Sequence, residues 1–208
     1  MTSVLIFDYD GVLVDSFDLF MKLFLDSCKK HGWKQISTKE EFLSLFHGNM
    51  YENMMNLGMN RQDILDVVLD VKKGLLDHID ELNLFPGLHE TLKDLATHHT
   101  LLISTSNDTD VVKTFLEKQH LTVFDEVYGS DVHPSKIKKI ALIKQKYHAD
   151  DYYYIGDTIG DIIEGKKAGI KTVGVTWGWH SKQQLKDSNP DALIENVGDL
   201  TLITSMIA

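Results

Sequence analysis

Asp8 and Asp10 stand two residues apart, directly after the apolar run Val4 to Phe7, and Gly11 follows them. The run has the length and composition of a strand buried on both faces. Neither carboxylate suits a strand interior, and Gly11 suits a chain turn. At the C-terminal end of a strand in an open α/β sheet, the pair would project into the crevice where such sheets bind ligands. Two more polar strand ends are expected, Ser104 after Leu101-Leu102-Ile103 and Asp157 after Tyr152 to Ile155. In a parallel sheet all three ends share one edge. Carboxylates gathered there repel one another unless a cation sits among them. An oxygen-only donor set favours a hard cation, and beside a phosphate that is Mg²⁺. Taken singly, each feature has a plainer reading. An Asp-x-Asp is an acidic turn, and Ser104-Thr105-Ser106-Asn107 is a hydroxyl-rich turn that caps a helix through Asn107 or Asp108.

The elements that must position these groups follow from periodicity. Phe17 to His31 predicts a helix, with Phe20, Leu23, Phe24 and Cys28 at helical spacing. Thr38 to Glu41 has capping-box spacing, and a second helix is expected through Phe42 and Leu45. His47-Gly48-Asn49 breaks the pattern, a third helix runs to about Leu57, and Asn60 to Asp80 predicts a long one. Leu84-Phe85-Pro86-Gly87 punctuates the chain. From there strands and helices alternate. Strands are expected at Leu101–Ile103, Glu126–Tyr128, Tyr152–Ile155, Thr172–Val175 and around Leu193-Ile194. Helices are expected at Gly87–Ala96, Thr109–Lys118, Ser135–Tyr147, Ile159–Ala168 and Leu200–Met206. This alternation predicts an α/β fold, a Rossmann-like parallel-sheet core with helices on both faces. Residues 1–16 and 84–208 would form the core, and residues 17–83 an inserted all-helical cap.

The run Asp8-Tyr9-Asp10-Gly11-Val12-Leu13-Val14-Asp15-Ser16 resembles the first motif of the haloacid dehalogenase-like phosphatases, and three further motifs fall in the expected order. The chain looks most like the subgroup with a helical cap between the first two motifs, which includes phosphoglycolate phosphatase-like and β-phosphoglucomutase-like proteins. The resemblance implies that Asp8 is a nucleophile forming an aspartyl-phosphate. It makes Asp10 the general acid and base, with its backbone carbonyl on Mg²⁺. The second motif implies that Ser104, or Thr105 if the register slips by one, holds the phosphoryl oxygens, with nearby backbone N–H groups. The third is a Lys at a helix start. Lys136 matches best, although Lys138 and Lys139 are close and the Pro precedes the Lys instead of following it. Its ammonium would offset charge on the phosphoryl group. The fourth is Gly156-Asp157-Thr158-Ile159-Gly160-Asp161. Asp157 would ligate Mg²⁺, and Asp161 would support it or ligate through water. Alone, Asp161 is an early-helix acid favoured by the dipole.

In this subgroup a cap loop closes over the site and sets specificity, so His47, Gly48 and Asn49 are candidate substrate contacts, together with Gly11. Gly48 also reads as a simple spacer between helices. Mutase-like relatives carry a basic residue after this glycine, and this chain has Asn49-Met50-Tyr51-Glu52. That favours hydrolysis of a small phosphomonoester over a sugar-phosphate mutase, the first alternative. Trp177-Gly178-Trp179-His180 would wall the entrance or pack beneath the last helix. Asp10 departs from the dehalogenase pattern. A non-catalytic, receiver-like protein binding Mg²⁺ or phosphate is the alternative of another class, and the long helical insertion after the first strand argues against it.

Composition sets outer bounds. The 208 residues carry a net charge of −10, which argues against a duplex-binding protein but not against a small phosphorylated metabolite as partner. The single cysteine, Cys28, excludes an intrachain disulfide and reads as core. The ten histidines show no metal-binding spacing. No basic, apolar leader opens the sequence, and no apolar run approaches the roughly 20 residues a membrane span needs. No membrane partner and a cytoplasmic location are therefore expected.

Overall fold

The computed structural model describes residues 3–207. Met1, Thr2 and Ala208, which the expected core segment includes, lie outside the described residues. Strand β1 (Ser3–Phe7) is buried at all five positions, as a central strand of a sheet covered on both faces must be. A tight turn leads to β2 (Val14–Asp15), and four helices follow: α1 (Phe17–Lys30), α2 (Lys39–Ser44), α3 (Met50–Asn56) and α4 (Arg61–Asp77). The chain returns through β3 (Asn83–Leu84). It then alternates through α5 (Leu88–Leu95), β4 (Thr100–Ser104), α6 (Thr109–Lys118), β5 (Glu126–Tyr128), α7 (Lys136–Lys146), β6 (Asp151–Gly156), α8 (Ile159–Lys167), β7 (Lys171–Val175), α9 (Lys182–Asp187), β8 (Ala192–Ile194) and α10 (Ile203–Met206).

Among the described residues, six strands form one parallel sheet in the order β5-β4-β1-β6-β7-β8. The order reverses between β1 and β6, so the crevice of a doubly wound sheet lies beyond the C-terminal ends of those two strands. Phe7 pairs with Ile155, and the Asp8 N–H donates to the Ile155 carbonyl at 2.8 Å. The carboxylates that follow β1 and β6 therefore face each other across the switch point.

Strand alternation divides the core. Leu5, Phe7, Leu101 and Ile103 join the main cluster with Val112 and Phe115 of α6 and the apolar stripes of α1 and α4. Val4, Ile6, Leu102 and Tyr154 join a second cluster with Ile140 and Ile143 of α7. Within the helical insertion, Phe20, Phe24 and Cys28 of α1 meet Val67, Val71 and Leu75 of α4, and Thr38 and Asn60 each close a capping box.

Some elements differ from the sequence expectation. β2 and β3 form an antiparallel ribbon (Val14 with Leu84, Asp15 with Asn83) where the insertion leaves and rejoins the sheet. Two-residue strands carry no period to detect. The second helix ends at Ser44 and continues as a 3₁₀ turn, Leu45–His47. The long helix ends at Asp77, and Ile79–Glu81 is a separate 3₁₀ turn. The closing helix begins as 3₁₀ over Val197–Leu202. Helix α9 was not expected, although Ser181 and Gln184 form its capping box.

Candidate active site

Asp8 leaves the end of β1 with its Oδ1 accepting from the Tyr9 N–H at 2.8 Å and its Oδ2 facing the Lys136 ammonium at 2.7 Å. Lys136 opens α7, whose N-cap is Ser135, and is buried. Its ammonium also donates to Asp161 Oδ1. Asp161 sits in the first turn of α8, where its other oxygen accepts from Thr158 N–H, Thr158 Oγ1 and the Asp157 N–H. The capping box of α8 thus turns Asp161 toward Lys136.

Asp157 lies at the end of β6 and is 0 % exposed. Its Oδ2 accepts from the Trp179 N–H at 2.6 Å, and its Oδ1 has no hydrogen-bond partner among the described residues. Gly11 (φ +77°) and Gly178 pack against this carboxylate so closely that a Cβ on either would overlap it. Gly11 also takes a left-handed turn conformation that a side chain disfavours. Oxygens of Asp8, Asp157 and Asp161 lie within 4.8 Å of one another. Burial pushes the Asp8 carboxyl above its ordinary range, with the Lys136 charge opposing it. Burial, then the charges of Asp161 and Asp8, holds Asp157 well above that range. Unpaired buried charge is costly, so the orphaned Asp157 Oδ1 and an all-carboxylate donor set fit a hard divalent cation.

Asp10 is treated differently. The turn after β1 points its carboxyl away from that cluster, where Oδ1 accepts from Ser16 Oγ at 2.7 Å and Oδ2 from Asn107 Nδ2 at 2.9 Å. Burial pushes its carboxyl up to about 7, against those two hydrogen bonds. A group with this proton affinity can give and take a proton near neutrality.

The cleft over these groups is lined by Asp8, Asp10, Thr105, Asn107, Lys136 and Thr158 on the sheet side and by Phe20 and Phe46 of the insertion, with Trp179 at the rim. Ser104 is not among its walls, and this corrects the expectation for the second motif. The strand β4 extends one residue past Ile103, so Ser104 lies inside the sheet, fully buried, with an unpartnered hydroxyl and a carbonyl that accepts from Tyr154 Oη at 2.5 Å. Thr105, the next residue, faces the cleft, and its Oγ1 accepts from the Asn107 N–H at 3.1 Å. Of the three neighbouring lysines, Lys136 alone reaches Asp8. Lys138 is exposed, and Lys139 is fully buried with its ammonium on the Thr105 carbonyl.

The three insertion-loop candidates do not line the cleft either. The His47 side is exposed, its ring 5.3 Å from that of His180. The Gly48 carbonyl rests against Gly160, and Asn49 Nδ2 donates to the Pro134 carbonyl at 3.1 Å and to Glu164 Oε1 at 3.3 Å. These residues clamp the insertion onto the sheet edge. His180 completes the clamp. Its Nδ1 accepts from the Ile159 N–H, which leaves Nε2–H to donate to the Leu43 carbonyl at 3.3 Å. Sequence reasoning missed Asn107 and Ser16 as partners of Asp10. It also left Trp179 between two roles. The ring packs on Phe17, Phe20, Phe42 and Phe46, while the N–H holds Asp157.

Comparison with known proteins agrees with this geometry. The profile of the haloacid dehalogenase-like hydrolases matches residues 5–175. A phosphoglycolate phosphatase of Synechococcus elongatus is 26% identical over 202 residues, 95% of each chain. The pyrophosphatase PpaX of Bacillus cereus is 24% identical over 213 residues, covering 98% of this chain and 96% of its own. Among solved structures, a predicted phosphatase from Clostridium acetobutylicum superposes with a TM-score of 0.80 at 22% identity, covering 98% of both chains. A haloacid dehalogenase-like family hydrolase from Streptococcus pneumoniae does so with a TM-score of 0.75 at 24% identity, covering 97% of both. This chain belongs to the haloacid dehalogenase-like hydrolases. Within that family it is a phosphatase, an enzyme of the phosphoric monoester hydrolase class.

Proposed function

We propose that the enzyme hydrolyses a small phosphomonoester, with Mg²⁺ bound, through a phosphoryl group carried on Asp8. The observation that carries this reading is the unequal treatment of two carboxylates two residues apart. Asp8 faces an ammonium, and Asp10 is hydrogen-bonded by Ser16 and Asn107 at a proton affinity near neutrality. In the first step an Asp8 carboxylate oxygen attacks phosphorus. The bond to the leaving oxygen breaks, and that oxygen takes the Asp10 proton. In the second step Asp10 removes a proton from water, the water oxygen attacks phosphorus, and the bond to Asp8 breaks, releasing phosphate. Thr105 Oγ1 already accepts from Asn107, so its own O–H is left to donate to a phosphoryl oxygen. Lys136 compensates charge on Asp8 and on the phosphoryl group. Asp8, Asp157 and the Asp10 carbonyl would hold Mg²⁺, with Asp161 orienting the set through Thr158 and Lys136. Bound there, the ion would neutralise the carboxylates and the incoming phosphate.

On this reading the helical insertion, residues 17–83, acts as a cap that excludes water through Phe20 and Phe46. A mutase would need a cation near the 47–52 loop for a second phosphate. The side chain there, Asn49, is instead committed to Glu164 and Pro134. A small phosphorylated metabolite in the cytoplasm, with no nucleic-acid or membrane partner, completes the reading. The net charge of −10 weighs against a nucleic-acid partner, and no helix among the described residues is long and apolar enough to cross a membrane. The test is phosphate release from a panel of small phosphomonoesters, with Mg²⁺ and with EDTA, for wild type and for Asp8→Asn. Release that depends on Mg²⁺ and vanishes in the variant is expected. Release that survives either EDTA or Asp8→Asn would refute the mechanism.

A further inference from the structure

The cleft does not end at Phe20. Phe20, Ser106 and Asn107 line both the catalytic cavity and a second, narrow one that runs between α1, α4 and the loop after β4. The walls of this second chamber are Phe24, Met50, Val68 and Val71, with Lys72 and Asp108 as its charged lining. Phe24, Met50 and Val71 are buried. A leaving group attached to a phosphorus beside Asp8 and reaching past Phe20, Ser106 and Asn107 would meet the walls of this chamber.

The charge of its lining decides what fits. Lys72 Nζ lies 2.8 Å from Asp108 Oδ1 and 2.8 Å from Asp110 Oδ2. One ammonium is therefore shared by two carboxylates, and the cluster is net negative. Among the described residues the only other cation lining either cavity is Lys136, in the catalytic one, and it is bound to Asp8 and Asp161. A carboxylate or second phosphate on the leaving group would enter an apolar slot facing net negative charge, at a desolvation cost that no free partner offsets. An apolar group would bury its surface against aromatic and aliphatic side chains, and the unbranched Met50 can adapt to it.

Resting on the phosphatase reading above, we infer that the substrate is a phosphomonoester with an uncharged, apolar leaving group. This differs from the anionic substrates that the names of the phosphoglycolate phosphatase and pyrophosphatase relatives specify.

The test compares kcat/KM for phosphate release from phenyl phosphate and from 4-carboxyphenyl phosphate, and from propyl phosphate and phosphoglycolate. Each pair differs chiefly in a carboxylate. The uncharged member should be preferred by about tenfold or more, the discrimination that pocket contacts of this kind supply. Val68→Lys, which places an ammonium at the half-buried chamber wall, should reduce that ratio severalfold. Asp110→Asn, at an exposed position, should reduce it in the same direction, because Lys72 is then paired with Asp108 alone and the cluster is neutral instead of net negative. Phosphate release with equal or better use of the carboxylated members would overturn the inference and leave the phosphatase reading standing. A ratio that neither variant moves would overturn the placement of the leaving group in this chamber. No release from any of the four would overturn the phosphatase reading and this inference with it.

Discussion

Replacing Gly160 by alanine should separate activity from stability. Gly160 lies in the first turn of α8, and a Cβ built there would sit 2.5 Å from the Gly48 carbonyl oxygen and 2.9 Å from that of Phe46. Both obstacles are backbone, so neither can rotate away. Bringing the first contact from 2.5 Å to an ordinary 3.4 Å moves the cap loop by about 0.9 Å. The clamp beside it is already near its limit, with Asn49 to Pro134 at 3.1 Å, Asn49 to Glu164 at 3.3 Å and His180 to Leu43 at 3.3 Å. A retreat of that size breaks two or three hydrogen bonds at ~1 kcal/mol each, which lowers closure by about 2–3 kcal/mol and kcat/KM by roughly 30- to 150-fold. Alanine meanwhile favours the helix over glycine by up to about 1 kcal/mol. That gain offsets part of the loss, so the melting temperature should fall by no more than about 2–8 °C while phosphate release falls at least about 30-fold. Activity within about threefold of wild type would refute the argument. A larger loss of melting temperature would do so as well, because the defect would then lie in folding.

Three further substitutions test the site from other directions. Lys139 is fully buried, donates to the Thr105 carbonyl and makes no ion pair among the described residues, and burial pulls its ammonium from 10.5 to about 7. Its folded pKa lies below the unfolded one, so the unfolded chain binds more protons between these values and wild-type stability should rise with pH across that window. Lys139→Met should therefore stabilise the protein most near pH 6, by roughly 2–4 kcal/mol after the lost hydrogen bond to Thr105 is subtracted, and the gain should fade toward pH 10. A thermal-melt difference that does not change with pH would contradict this. If the Thr105 hydroxyl holds phosphate as proposed, Thr105→Ala should cost roughly 100-fold in kcat/KM and Ser104→Ala less than about threefold. The reverse order would restore Ser104 to the role expected from sequence.

Local chemistry was legible in the sequence wherever a few adjacent residues determine it. The apolar run before Asp8 predicts a buried central strand, and Thr38-x-x-Glu41 predicts a helix start, because burial on two faces and a capping box are properties of a short segment. The four acidic positions and Lys136 follow from the same logic combined with the family resemblance. Other decisions depended on what the rest of the fold places opposite each residue. Whether Ser104 or Thr105 meets the cleft is fixed by where β4 stops pairing with β5, since a shift of one residue changes the face. Lys136 and Lys139 share one face of α7, and only the packing of β1 and α8 against that helix gives Asp8 to the first and the Thr105 carbonyl to the second. The sequence marks His47-Gly48-Asn49 as a break between helices, but its docking onto Gly160 and Glu164 depends on helices far along the chain. Residue types and short spacings determined the chemistry available to this protein. The tertiary structure decided which of these groups come together, because proximity between distant segments is set by packing and not by any one of them.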